Sequence, residues 1–338
     1  MKIAVNTRFL FPSKLEGIGW FTHEIFRRLV EKHPEVEWLF LFDRPYAPEF
    51  HYSPAVKPLV ISPPARHPLL WHIWFQYRLP AILRKENAQL LVSPDGFIPL
   101  RSSCPSLSVI HDLNFEHQPE NLPRLAGWYM RRYFPLFARH ARRVATVSDY
   151  SRRDLVQTYR LDPKTIDITY NGVNEQFHPL EAPEIQAERA ARTQGKPYFV
   201  FIGALNPRKN IEGLLEAYRL YRQQAGAAEL VVVGEKMFWN ESLESQYQDH
   251  PYRTSIHFTG RLQGPRLNTI LGAAQALFFV SHFEGFGIPI LEAFRCGVPV
   301  ITATNSSMPE IAGEAALLCD SRDFQAIASA MRRTDDPS

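Results

Sequence analysis

The chain has 338 residues, of which 45% are apolar, and a formal net charge of +3. That size and composition suit a globular protein of two domains and exclude a low-hydropathy disordered chain. Residues 1–178 hold 23 Lys and Arg against 17 Asp and Glu, and the remainder holds 15 against 18. The basic half could face a polyanion or an anionic membrane, but its excess is too small and too spread for nucleic acid, and no nucleic-acid-binding motif is present. The three cysteines, Cys104, Cys296 and Cys319, form no Cys-x-x-Cys pair. They predict structural thiols in a reducing compartment and no metal site.

Lys2 to Asn6 reads as a buried first strand with no signal-peptide core before it. No apolar run reaches the roughly 18 residues of a membrane span, so the expectation is a cytoplasmic protein. A loop leads to Gly17-Ile18-Gly19 and then to a helix from about Trp20 to Lys32, striped by Phe21, Ile25 and Leu29. The glycine pair is either a simple turn or a loop that lets a phosphate or substrate approach closely. Glu37 to Phe42 is the next strand, and proline-rich Pro45 to Pro68 reads as loop.

His67 to Lys85 and Arg124 to Arg143 are aromatic and basic together. Such segments are core helices with solvated basic ends, the favoured reading, or helices lying on a membrane surface. Short strands follow at Leu90–Ser93, Leu107–Ile110, Val144–Val147 and Ile166–Tyr170. His111 stands at the carboxyl end of one of them, where doubly wound sheets gather ligands; a hydrogen-bonded structural histidine is the alternative. Ser151 and Asp154 fit a capping box for a helix reaching Tyr159. The pattern fades after Phe177. The expected domains are therefore residues 1–175 and 176–338.

The second half restarts with a strand at Tyr198–Ile202. Asn210 is placed to cap a helix to Gln224, and Arg208 and Lys209 precede it, forming either an anion site or ordinary surface charge. Strands at Leu230–Val233 and Ile256–Thr259 lead to a denser module: a strand at Ala276–Val280, a turn with Gly285 and Gly287, a short helix with Pro289 near its start and Gly297 past its end, and a strand at Val298–Thr302. Backbone amides at such a helix start bind anions. Glu284 and Glu292 flank the turn and can accept hydrogen bonds from hydroxyls. A nucleotide, a sugar phosphate or a nucleotide-sugar carries both kinds of group. Ile290 stands where the dinucleotide fingerprint wants a third glycine, and no P-loop occurs. Ala316–Leu318 and a helix from Asp323 to Arg332 close the chain.

Glu284 and Glu292, inside Glu-Gly-Phe-Gly-Ile-Pro-Ile-Leu-Glu-Ala, resemble the E-x7-E motif of retaining GT-B glycosyltransferases of family 4. Gly17-Ile18-Gly19, His111-Asp112-Leu113, Thr146-Val147-Ser148, Asn171-Gly172-Val173, Asn206-Pro207-Arg208-Lys209-Asn210 and Ser306-Ser307-Met308-Pro309-Glu310 fall in the family's order along nearly the whole chain. The resemblance implies an α/β fold, GT-B, with two Rossmann-like domains facing across a cleft. It implies a nucleotide-diphosphate sugar donor, with Glu292 on the ribose and Glu284 near the transferred sugar. The amides around Gly285, Phe286, Gly287 and Ile288 would contact sugar and phosphate. Arg208 and Lys209 would neutralise the diphosphate without a metal or other cofactor. Gly17, Ile18 and Gly19 would close over the phosphate, and His111 would contact the sugar.

The motif set is most similar to bacterial mannosyltransferases of polysaccharide or O-antigen assembly. That favours GDP-mannose, with UDP-sugars as alternatives, and a saccharide or lipid-linked saccharide acceptor; the two aromatic and basic segments add the expectation of a peripheral contact with the inner membrane face. A non-catalytic nucleotide-sugar-binding subunit is the alternative of another class. Two departures stand out. Ala204 occupies a position where the family often has arginine, leaving Arg208 to take that role. The helix that usually crosses back to the first domain is not expected before Ser338.

Overall fold

The computed structural model describes residues 1–12, 15–237 and 239–335. The chain divides between Tyr170 and Asn171 into two units, five residues before the boundary expected at Glu175.

The first unit is built on seven parallel strands: β1 Lys2–Asn6, β2 Glu37–Phe42, β3 Val56–Val60, β4 Leu90–Ser93, β5 Ser106–Val109, β6 Arg143–Thr146 and β7 Ile166–Ile168. Their order is β3-β2-β1-β4-β5-β6-β7. Successive side chains of β1 go to opposite faces. Ile3 and Val5 join Phe26, Trp38 and Phe40 in one core, and Ala4 joins Leu39, Leu41 and Leu91 in the other. Both faces are therefore covered, which is why β1 and β2 read as continuous apolar runs rather than alternating ones.

The second unit has six parallel strands: β8 Tyr198–Ile202, β9 Glu229–Val233, β10 Ile256–Gly260, β11 Ala276–Phe279, β12 Val300–Ala303 and β13 Leu317–Cys319. Their order is β10-β9-β8-β11-β12-β13. Every residue of β8 and β11 is buried, as expected of strands central to a sheet with two covered faces.

The structure changes several details of the sequence reading. Gly17 to Gly19 is not a loop: it is the first turn of the helix Gly17–Lys32. A Cβ on Gly19 would stand 2.7 Å from the Phe9 carbonyl oxygen, so glycine is needed there to let the preceding chain cross the helix. The helix Asp149–Tyr159 is capped by Ser148, whose hydroxyl accepts from the Ser151 amide, rather than by Ser151. The Pro45–Pro68 segment contains β3. Its Pro58 lies on an edge strand, where one missing N–H leaves no ladder partner unsatisfied.

The aromatic segments are largely core. Helical residues 68–85 bury Trp74, Phe75, Leu79 and Leu83, and the helix Arg124–His140 buries Tyr129, Phe134 and Phe137. Among the described residues no helix is long and apolar enough to cross a membrane.

Candidate active site

β8 and β11 are hydrogen-bonded neighbours although β9 and β10 intervene in sequence. The connections leave this seam in opposite directions, which opens a crevice beyond the strands' carboxyl ends, the usual ligand position in doubly wound sheets. The loops after β8 and β11 meet there.

The loop after β8 ends in a 3-10 turn, Pro207–Lys209, followed by Asn210 in the left-handed region at φ 58°. Asn210 occupies the cap position, but its side chain does not cap the helix Ile211–Gln223. Its amide instead donates to the Val280 carbonyl at 3.0 Å and the Ser321 carbonyl at 2.8 Å. The His282 amide donates to the Arg208 carbonyl at 2.8 Å. These bonds fix the cationic turn against the loop that carries Glu284.

Arg208 Nη1 donates to Glu284 Oε2 at 2.7 Å and to the Phe283 carbonyl at 3.0 Å. Lys209 Nζ lies 2.6 Å from Glu284 Oε1 and 4.5 Å from the centroid of the Phe279 ring. One carboxylate thus holds two cations, and the trio carries one more positive than negative charge. Burial alone would raise the Glu284 pKa, but the Arg208 and Lys209 charges prevail and hold it at about 2. The side chains of Glu284 and Lys209 are 7% and 10% exposed and that of Arg208 is 26% exposed, so solvent reaches the trio mainly at the guanidinium.

The glycine turn is built for close approach. Gly287 adopts φ +102°, and a Cβ there would meet Ile290 Cδ1 at 3.1 Å and Phe279 Cε1 at 3.3 Å. Any side chain would be both strained and crowded. The helix Ile288–Arg295 follows, with Pro289 in its first turn. The N–H groups of Gly287 and Ile288 donate to no protein acceptor among the described residues, so two donors stay open at the positive end of the helix. Ser307 Oγ donates to the carbonyls of Glu284 at 2.8 Å and Phe286 at 3.0 Å, and Ser306 Oγ accepts from the Glu284 amide at 3.1 Å. The role of this serine pair in holding the turn was not legible in the sequence.

Glu292 lies farther along the same helix. Burial pushes its carboxyl up to about 7, and no ion pair holds it down among the described residues. It is a carboxyl suited to hydrogen bonds with hydroxyls rather than to meeting an anion.

Within the first unit, His111 follows β5. Its Nε2 lies 2.8 Å from the Pro94 carbonyl and its ring meets Phe21 edge-on. A carbonyl only accepts, so Nε2 carries the proton and Nδ1 keeps a lone pair. Burial lowers the His111 pKa, which favours this neutral form. The hydrogen-bonded structural reading of His111 thus holds at Nε2, and Nδ1 is left as an acceptor. Gly17 and Gly19, as helical residues, make no phosphate loop by themselves, although Gly17 has open space where a Cβ would stand.

A buried polar cluster at the end of β1 and β4 was missed. Arg8 Nε donates to Asp95, and Asn6 Nδ2 donates to Ser93 Oγ at 2.9 Å and Asp95 Oδ1 at 2.8 Å. The Arg8 guanidinium lies against the rings of Phe9, Trp71, Phe75 and Phe97.

Two doubly wound parallel units, with a cation-rich turn and oriented amides at the second unit's switch point, define the GT-B class of glycosyl-transferring folds. Comparison with known proteins agrees. Residues 15–177 match the model of Glycosyltransferase Family 4, and residues 184–334 match Glycosyl transferases group 1. The O-antigen chain mannosyltransferase B of Escherichia coli is 28% identical over 330 residues, covering 93% of this chain and 86% of that one. The O-antigen chain mannosyltransferase RfbU of Salmonella typhimurium is 22% identical over 295 residues, covering 86% of this chain and 78% of that one. The crystal structure of Anabaena HepE in complex with UDP-glucose superposes with a TM-score of 0.76 at 18% identity, covering 99% of this chain and 90% of that one. The chain belongs to the family 4, group 1 glycosyltransferases, and the protein is a glycosyltransferase.

Proposed function

We propose that the enzyme is a retaining mannosyltransferase, moving mannose from GDP-mannose to a saccharide or lipid-linked saccharide acceptor during surface-polysaccharide assembly. The observation that carries the chemistry is the Arg208–Lys209–Glu284 trio together with the open amides of Gly287 and Ile288. The choice of mannose is supported by the two relatives named as O-antigen mannosyltransferases.

In this reading the diphosphate lies against Arg208, Lys209 and the start of the helix Ile288–Arg295. Glu292 accepts from the ribose hydroxyls, and Glu284 meets the transferred sugar while holding both cations in place. Gly285 and Phe286 shape the turn at the sugar.

As the bond from the anomeric carbon to the diphosphate oxygen breaks, its electron pair stays on that oxygen. The acceptor oxygen forms the new bond on the same face, and its proton passes to the departing phosphate. Fixed cations and amides aimed at the growing negative charge lower the barrier, which is the role a metal ion or cofactor would otherwise fill.

A UDP-sugar donor is the second reading, favoured by the UDP-glucose bound to the similarly folded HepE. The test is transfer to a lipid-linked saccharide, with GDP-mannose and a panel of UDP-sugars supplied separately and the product's anomeric configuration read by NMR. GDP-mannose should give a product of retained configuration, and Glu284→Gln should nearly abolish it while leaving nucleotide binding within tenfold. Turnover with UDP-sugars alone, or an inverted product, would overturn the assignment.

A further inference from the structure

Asn268 is an unusual residue for the core of the second unit. It lies in the helix Pro265–Gly272 and is 3% exposed. Asparagine is a poor helix former, and a buried amide costs free energy unless its partners are in place. An apolar side chain would fill the position without that cost, so the partners explain its presence. The partners of its side chain lie outside its own helix. Asn268 Oδ1 accepts from the His178 amide at 3.0 Å and from the Cys296 thiol at 3.3 Å. His178 Nδ1 lies 3.0 Å from the Pro179 carbonyl, so Nδ1 carries the proton, and Nε2 accepts from Asn268 Nδ2 at 3.3 Å. Only one orientation of the Asn268 amide satisfies all three contacts.

Cys296 ties this amide to the donor side of the unit. It stands four residues after Glu292, so the thiol and the carboxyl share one face of the helix Ile288–Arg295 and its cap, one turn apart. The Cys296 amide donates to the Glu292 carbonyl at 3.1 Å. The same helix end is held by Arg295, whose Nε donates to the Phe177 carbonyl at 2.8 Å. Ile290 and Ala293 bury the inner face of this helix, but apolar contacts alone let a short helix turn or slide. Directional bonds at its end do not. A helix of eight residues makes only about two turns, so what fixes its end also fixes Glu292.

We infer that Asn268 is a positioning residue for donor binding: by holding the Cys296 thiol it sets where the Glu292 carboxyl meets the ribose hydroxyls. The inference rests on the placement of the ribose at Glu292 proposed above. It does not depend on the base or the sugar of the donor.

The test measures binding of GDP and UDP, and of their 2′,3′-dideoxy forms, to the full chain by calorimetry. The wild type should prefer the intact ribose of its nucleotide roughly tenfold, the worth of one or two hydrogen bonds. Asn268→Leu should lose most of that preference by binding the intact nucleotide more weakly, with the dideoxy form bound as in the wild type. In transfer assays its KM for the donor should rise while kcat holds, because a ribose contact is made equally in the ground and transition states. Cys296→Ala removes the thiol alone and should shift the preference in the same direction by less, which answers the question even where Asn268→Leu folds poorly. Cys296→Ser keeps a donor and should retain the preference. A wild type indifferent to the ribose hydroxyls of both nucleotides would overturn the placement of Glu292 and the inference with it. A wild-type preference that survives in Asn268→Leu and Cys296→Ala would overturn the inference alone. So would an equal loss of intact and dideoxy nucleotide, which is what a general loosening of the unit produces.

Discussion

Each unit places an arginine after its first strand and a carboxylate after the strand that crosses over to pair with it. In the first unit these are Arg8 and Asp95, beyond β1 and β4; in the second they are Arg208 and Glu284, beyond β8 and β11. The topology is the same and the outcome differs. The Arg8 and Asp95 side chains are 6% and 2% exposed, one cation matches one carboxylate, and aromatic rings surround the guanidinium. The second cluster adds Lys209, which tips the charge to positive, and leaves Arg208 partly open to solvent. A closed, balanced pair locks a fold, whereas an open pair with surplus charge can receive an anion. The switch point supplies the place, and stoichiometry and access decide the use.

The largest expected effect breaks the closed pair. Arg8→Met leaves the Asp95 charge buried without its cation and should destabilise the first unit by about 3–5 kcal/mol in urea unfolding. Nucleotide affinity of the folded variant should stay near that of the wild type. Lys209→Met removes the surplus charge from the open cluster. Turnover should fall roughly 10²–10³-fold, the usual consequence of losing one aimed donor to developing charge, while urea stability changes far less than in Arg8→Met. Equal stability losses in the two variants would erase the distinction.

The smallest effect concerns Glu292. Its carboxyl is raised by burial to about 7, so the folded state holds a proton that the unfolded chain releases near 4.5. The penalty is absent below the unfolded value, grows as pH rises, and is complete above about 7. Glu292→Gln should therefore gain melting temperature relative to the wild type between pH 5 and 8. The full shift from 4.5 to about 7 amounts to a penalty of about 3 kcal/mol, or roughly 6–12 °C in a unit of this size. Parallel pH profiles for the two proteins would remove the buried carboxyl from the account.

Much of this architecture was legible in the sequence, for identifiable reasons. β1, β2 and β8 are continuous apolar runs with clear boundaries, and the structure reproduces them residue for residue. The turn at Gly287 was legible because few residues tolerate its backbone. β3 was hidden because Pro58 argues against a strand until the strand is known to be an edge. Arg8 was hidden because a lone arginine near a strand end reads as solvated. Its burial depends on Asp95 and on rings contributed by distant segments. The grip of Glu284 on both cations was hidden for a related reason: it exists only because β8 and β11 are neighbours, and no local pattern states that pairing. The helical Gly17–Gly19 turn looked like a loop because glycine is a poor helix former, and only the Phe9 carbonyl beside Gly19 explains its presence.

Asn210 adds an order of events. Its amide has two hydrogens, and one of them finds its acceptor only at Ser321, 111 residues later in the chain. On a ribosome, the turn bearing Arg208 and Lys209 emerges long before that acceptor does. The turn's bonds to Val280, His282 and Glu284 can form earlier, and the last of its fastenings waits for Ser321. Early release or truncation upstream of Ser321 would therefore yield a unit whose charged turn lacks one of its fastenings, with one buried N–H still seeking a partner.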